Sequence, residues 1–156
     1  MNFDAVPAHA PLELEHFLPY RLSILSNTVS QGIATEYEER FQLSMTEWRV
    51  MTILARFPEV SAREVVERTA MDKVAVSRAV QGLLAAGRLV RAYDAGDRRR
   101  TRLRLSSAGQ SVYTRVAPLA LSYEKKLLDA LSATDRRALD RLVGRLIERA
   151  KRLAAS

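Results

Sequence analysis

Two helix starts and one helix stop lie between Ser61 and Gly87, and they leave little choice of fold. Ser61-Ala-Arg-Glu64 is a capping box: the serine hydroxyl accepts the amide three residues on, and the glutamate reaches back to the serine amide. Asp72 is a second N-cap, and Gly87 suits the left-handed residue that ends a helix. The spacing predicts a short helix in SAREVVERTA, a tight turn, and a longer helix in DKVAVSRAVQGLLAAG, which together make a helix-turn-helix. On the longer helix Val76, Ala79, Val80, Leu83 and Leu84 fall on one face. Lys73, Val74, Ser77, Arg78 and Gln81 are left on the other.

After Gly87 the period changes from helical to alternating. Leu89 to Tyr93 is short and rich in β-formers, and Arg100-Thr-Arg-Leu-Arg-Leu105 alternates polar with apolar. Leu103 and Leu105 then face one way, and Arg100, Arg102 and Arg104 the other. Asp94-Ala-Gly-Asp97 supplies turn chemistry between the two runs. A basic hairpin directly after a helix-turn-helix predicts a winged helix.

Helices are expected on both sides of this lobe. From Pro19, apolar residues at Leu22, Leu25, Val29, Ile33, Tyr37 and Phe41 predict one long amphipathic helix, or two with a break near Gly32. Ser44-Met-Thr-Glu47 is another capping box, opening a helix that Pro58 closes. Ser107-Ala-Gly-Gln110 is expected to cap a further helix kinked at Pro118. Ser132 opens the last one, with Leu139, Leu142, Val143, Leu146, Ile147, Ala150 and Leu153 as its apolar stripe. The predicted fold is mostly α with a small two- to three-stranded β wing. Residues 44–106 form the winged helix-turn-helix lobe, and residues 12–43 and 107–153 form dimerisation helices. Residues 1–11 and 154–156 are expected to fray.

Composition narrows the function. The chain has 156 residues, 47% of them hydrophobic, enough to bury a core. It has no cysteine, which removes disulfides, thiol redox sensing, thiolate metal sites and cysteine nucleophiles. No apolar run is long enough to span a membrane, and the N-terminus has no signal-peptide pattern, so a cytoplasmic protein is expected. The net charge of +7 is unevenly spread. Residues 1–60 carry four Lys and Arg against eight Asp and Glu, whereas residues 61–105 carry eleven against five. A basic middle behind an acidic front points to a surface that meets a polyanion.

Duplex DNA fits that surface. A recognition helix lies in the major groove, where an arginine can donate twice to guanine and a glutamine can pair with adenine. The expected DNA-facing set is Lys73, Val74, Ala75, Ser77, Arg78 and Gln81. Arg78 and Gln81 read base edges, Val74 meets a thymine methyl, and Lys73 and Ser77 hold phosphates. At the hairpin tip Arg98, Arg99 and Arg100 suit the negative potential of a narrow minor groove. Asp97 would repel phosphate and is expected to brace a tip arginine. The competing reading of the same arginines is a charged strand that resists edge-to-edge aggregation. A protein-interaction module and a non-specific DNA binder also remain open.

MDKVAVSRAVQGLLAAGRLVRAYDAGDRRRTRLRLSSAGQSVY, residues 71–113, resembles the MarR family of bacterial transcription regulators. The family pattern is met in order by Ser77-Arg78, Leu83, Gly87, Asp97-Arg98-Arg99 and Leu105-Ser106-Ser107-Ala108-Gly109. The flanking helices match in length and order. The resemblance implies that Arg99 is the wing residue entering the minor groove, with Asp97 bracing it. It also implies a homodimer on a pseudo-palindromic operator, usually a repressor. Release by a small aromatic or phenolic effector between the dimerisation helices and the DNA-binding lobe is implied too. The effector candidates combine aromatic surface with a few polar groups: Phe17, Tyr20, Arg21, Ser23, Asn27, Trp48 and Arg49. Trp48 sits on an amphipathic helix, where such a residue is more often core.

No catalytic constellation, phosphate loop or metal motif is present in the sequence. His9 and His16 with Glu13 between them are the sole hint of metal ligation, and Pro11 interrupts a helix there. No cofactor or metal is expected.

Overall fold

A computed structural model describes residues 11–94 and 97–155, with the backbone alone at residue 94 and residues 97–100. The expectations for residues 1–10, for Ser156 and for the Ala95-Gly96 turn lie outside it. Among the described residues seven helices and a hairpin follow in order: α1 (Leu18–Thr35), α2 (Glu38–Phe41), α3 (Met45–Arg56), α4 (Ala62–Thr69), α5 (Lys73–Ala85), β1 (Leu89–Asp94), β2 (Asp97–Leu105), α6 (Ser107–Leu128) and α7 (Ala133–Ala154). The chain divides into two compact units, residues 1–114 and 115–156.

In the first unit the helix starts are made by the side chains that the sequence nominates. Ser44 and Ser61 each accept from the amide three residues on, and Glu47 and Glu64 each return a carboxylate to the serine amide. Asp72 accepts from the Ala75 amide at 2.9 Å and starts α5. Gly87, at φ +68°, turns the chain out of that helix. The core lies among α3, α4, α5 and the base of the hairpin. Val50, Met51 and Leu54 of α3, Val65 of α4, and Val76, Ala79, Val80 and Leu83 of α5 are buried in it, with Leu89 and Leu103 of the hairpin.

The hairpin is antiparallel, with Leu89 opposite Leu105 and Tyr93 opposite Thr101, and its register shifts between Tyr93 and Asp94. The sheet has two strands. A third contribution is a single bridge, in which the Leu103 amide donates to the Val60 carbonyl at 2.9 Å.

Two boundaries differ from the sequence reading. The first long helix runs through Gly32 and ends at Thr35. The break falls at Glu36–Tyr37 because the chain turns there to bury Tyr37 and Phe41 together. The start of α6 is capped by Ser106 rather than Ser107: its Oγ accepts the Gly109 amide at 3.0 Å, and its carbonyl accepts the Gln110 amide. Pro118 lies inside α6 without ending it.

In the second unit Ser132 caps α7 by accepting the Asp135 amide. Asp129 pairs with Arg136 at 3.0 Å and with Lys125 at 3.4 Å, and the Arg136 bond holds its carboxyl below the usual carboxylate range. No residue of α7 is buried. Its row Leu139, Leu142, Val143, Leu146, Ile147 and Leu153 is 40–60% exposed. Leu18, Tyr20, Leu22, Ile24 and Leu25 of α1 are similarly exposed. No helix among the described residues is long and apolar enough to cross a membrane.

Candidate nucleic-acid interface

The two faces of α5 have opposite fates. Val76, Ala79, Val80 and Leu83 seal one face against the lobe, which fixes the helix in rotation about its axis. Lys73, Val74, Ser77, Arg78 and Gln81 are consequently all exposed, and Ala75 is half-buried beside them. Val74 is 59% exposed, a position that core packing does not explain. Ion pairs on the helices include Arg63 with Glu67, Lys125 and Arg136 with Asp129, and Lys151 with Glu148, and none of these involves a cation of this α5 row. The row therefore presents an ammonium, a guanidinium, a hydroxyl and an amide from one helical face. Such groups match phosphates and base edges in a major groove.

Arg98, Arg99 and Arg100 belong to β2, near the end of the hairpin where Asp97 faces Asp94. Their side chains, and that of Asp97, lie outside the described residues, and with them the bracing contact expected of Asp97. The arginines nearer the base are described. Arg104 is exposed, and Arg102 is half-buried and donates to the Glu59 carbonyl at 2.9 Å.

The residues nominated for an effector have several environments. Trp48 is buried, with its ring 5.8 Å from Tyr37 and stacked 5.6 Å from Tyr113. The Tyr37 hydroxyl is buried with no hydrogen-bond partner among the described residues, and burial pushes it up to about 12, with Glu38 adding to the shift and Arg49 opposing it. Arg49 donates to Ser30 of α1 at 2.8 Å. Phe17, Tyr20, Arg21, Ser23 and Asn27 are exposed. Tyr20 and Arg21 share a shallow groove with Ile24, Leu25 and Thr28.

The sequence reading missed a pocket of about 500 Å³ between α4, α5 and β1. Val66 and Val80 line it, with Arg63, Lys73, Ser77 and Arg91. Arg91 could have been noticed as the one cation of β1, but its approach to α4 depends on the packing of the lobe. Phe57 was missed too: Arg56 and Arg68 lie over its ring at 5.1 and 4.1 Å. Among the described residues no group of three or more His, Asp or Glu side chains is placed to hold a metal ion; His16 meets Glu13 alone, at 3.4 Å, and His9 lies outside them.

An exposed polar helix face, a capped helix before it and a hairpin after it define a winged-helix protein. Residues 41–100 match the model of the MarR family. Solved structures agree in fold over most of the chain. A MarR/EmrR family transcriptional regulator from Acinetobacter sp. ADP1 superposes with a TM-score of 0.82 at 24% identity, covering 90% of this chain and 99% of that one. The PcaV transcriptional regulator of Streptomyces coelicolor, in complex with its natural ligand, gives 0.74 at 22% identity, covering 91% and 99%. BpsR of Bordetella bronchiseptica, whose DNA binding is regulated by 6-hydroxynicotinic acid, gives 0.76 at 20% identity, covering 88% and 97%. No curated protein sequence matches. The lobe is similar to the MarR family over residues 41–100, and the chain has the fold of solved structures of MarR-family transcriptional regulators.

Proposed function

We propose that the protein is a sequence-specific DNA-binding transcriptional regulator that represses a nearby gene by binding a pseudo-palindromic operator as a homodimer. One observation carries the reading: the outward row Lys73, Val74, Ser77, Arg78 and Gln81 on a helix whose opposite face is sealed into the lobe. In the major groove Arg78 donates twice to a guanine and Gln81 pairs with an adenine, each contact contributing about 1–3 kcal/mol of discrimination. Val74 meets a thymine methyl. Lys73 and Ser77 hold phosphates, and Ala75 lets the helix approach closely. At the wing Arg99 enters the minor groove between Arg98 and Arg100, braced by Asp97. The exposed stripes of α1 and α7 meet their copies in the dimer, which spaces the recognition helices about one DNA turn apart, roughly 34–36 Å. The role is a binding one, with no catalytic step.

A small aromatic effector is part of the proposal, supported by two structures of like fold, one in complex with its natural ligand and one whose DNA binding is regulated by 6-hydroxynicotinic acid. The groove at Tyr20 and Arg21 offers a ring and a cation to an aromatic acid. The pocket between α4, α5 and β1 shares Lys73, Ser77 and Gln81 with the DNA-facing row, so an occupant there competes with DNA for the same groups. Titration with aromatic acids, followed by Trp48 fluorescence and by operator release, tests both locations. No saturable response in either readout refutes the effector.

Two substitutions test the groove assignments. Arg78→Ala should relax base preference at one operator position by about 1–3 kcal/mol. Arg99→Ala should weaken binding evenly across sequences and reduce the salt slope by about one unit. Parent-like binding by both variants would mean the faces are wrongly assigned.

A further inference from the structure

Two arginines that composition would count as DNA contacts are spent inside the lobe. Arg88, directly after the glycine that ends α5, sends both terminal nitrogens to the end of α2. Its Nη1 donates to the Gln42 carbonyl at 3.0 Å, and its Nη2 to the Phe41 carbonyl. Arg102 of β2 donates through Nη1 to the Glu59 carbonyl at 2.9 Å, beside the bridge from the Leu103 amide to Val60. These carbonyls flank α3, two just before Ser44 and two just after Arg56. Gln42 and Glu59 are also left-handed, at φ 49° and φ 62°, where a residue with a β-carbon is strained. Each guanidinium therefore grips a strained turn at one end of α3, one from the base of β1 and one from β2.

We infer that Arg88 and Arg102 are positioning residues that lock the hairpin to both ends of α3 and so set the offset between wing and recognition helix. The backbone of Arg88 extends the lock to two more helices. Its amide donates to the Leu83 carbonyl of α5, and its carbonyl accepts the Ser106 amide just before α6. A hairpin joined to α5 by Gly87 alone would pivot there. With α3 held at both ends, wing and α5 move as one body. The consequence for DNA rests on the proposed function: the offset decides whether wing and α5 reach neighbouring grooves together.

The test uses the full-length protein with Arg88→Lys, Arg102→Lys, Gln42→Gly and Glu59→Gly, singly and as the pairs Arg88→Lys/Gln42→Gly and Arg102→Lys/Glu59→Gly. Lysine keeps the charge but lacks the planar fork that holds Arg88 on two carbonyls. Amide exchange at residues 41–44, 59–61 and 89–93 should rise about tenfold in the lysine variants. Glycine at the strained turn should cancel much of that rise, giving a non-additive cycle. Arg88→Met and Arg102→Met, on a duplex selected from random sequence, should lose about tenfold in affinity with an unchanged salt slope. Additive cycles, or a salt slope reduced by about one unit per arginine, would overturn the inference and make these residues phosphate contacts. If no duplex is selected, the proposed function fails, and the exchange cycles still decide the clamp.

Discussion

A β-carbon at Gly109 would lie 2.0 Å from the carbonyl oxygen of Arg88 and 2.9 Å from its carbonyl carbon. Both are backbone atoms, so no side-chain rotation relieves the overlap. Ser106 explains why the backbones come so close. Its Oγ donates to the Gly87 carbonyl at 2.6 Å and accepts from the Gly109 amide at 3.0 Å, while its own amide donates to the Arg88 carbonyl at 3.0 Å. One serine and one glycine thus sew the start of α6 to the end of α5. The Leu105-Ser106-Ser107-Ala108-Gly109 stretch has this physical content. Gly109→Ala should destabilise the fold by about 3 kcal/mol, read by urea unfolding. Gly87→Ala, with open space around its β-carbon but φ at +68°, should cost about 1 kcal/mol. Equal losses at the two glycines would contradict the steric argument.

Among the elements, those with local signals were legible and those built by distant partners were not. α3, α4 and α5 begin where Ser44, Ser61 and Asp72 announce them, because a cap reaches only three residues along the chain. The sealed and outward faces of α5 followed from helical period alone. The break after α1 was misplaced because burial of Tyr37 beside Trp48, a contact eleven residues on, overrides the weak signal of Gly32. The pocket between α4, α5 and β1 and the grips of Arg88 and Arg102 were illegible, since their partners come from other elements. The capping box of α4 makes a prediction at this scale. Hydrogen bonds from the Ser61 amide and then its hydroxyl hold the Glu64 carboxyl below its ordinary value of 4.5. A carboxylate depressed by folding stabilises the fold above its unfolded value, and that contribution is lost as pH falls through the folded one. Lowering the pH through the carboxylate range should therefore loosen the first turn of α4. Amide exchange at Glu64 and Val65, with the intrinsic rate's own pH dependence divided out, should show it. Ser61→Ala should cost about 1 kcal/mol at neutral pH and remove this acid sensitivity. An acid response retained in that variant would assign it to another group.

At the scale of the whole molecule, two helices among the described residues leave apolar stripes exposed, α7 in one unit and α1 in the other. Contiguous apolar surface of this kind marks an interface, and a second copy is the partner that the proposed function requires. Leu146→Asp with Ile147→Asp should convert a dimer to a monomer in sedimentation equilibrium and weaken operator binding by an order of magnitude or more, because two linked half-sites become one. A parent that sediments as a monomer would remove the dimer from the account. The most direct measurement is selection of bound sites from random duplex DNA by the full-length protein. The account predicts an inverted repeat with half-site centres one helical turn apart, and Arg78→Ala should relax a guanine-containing position in each half. Recovery of no enriched sequence, or of a single unrepeated site that Arg78→Ala leaves unchanged, would contradict it.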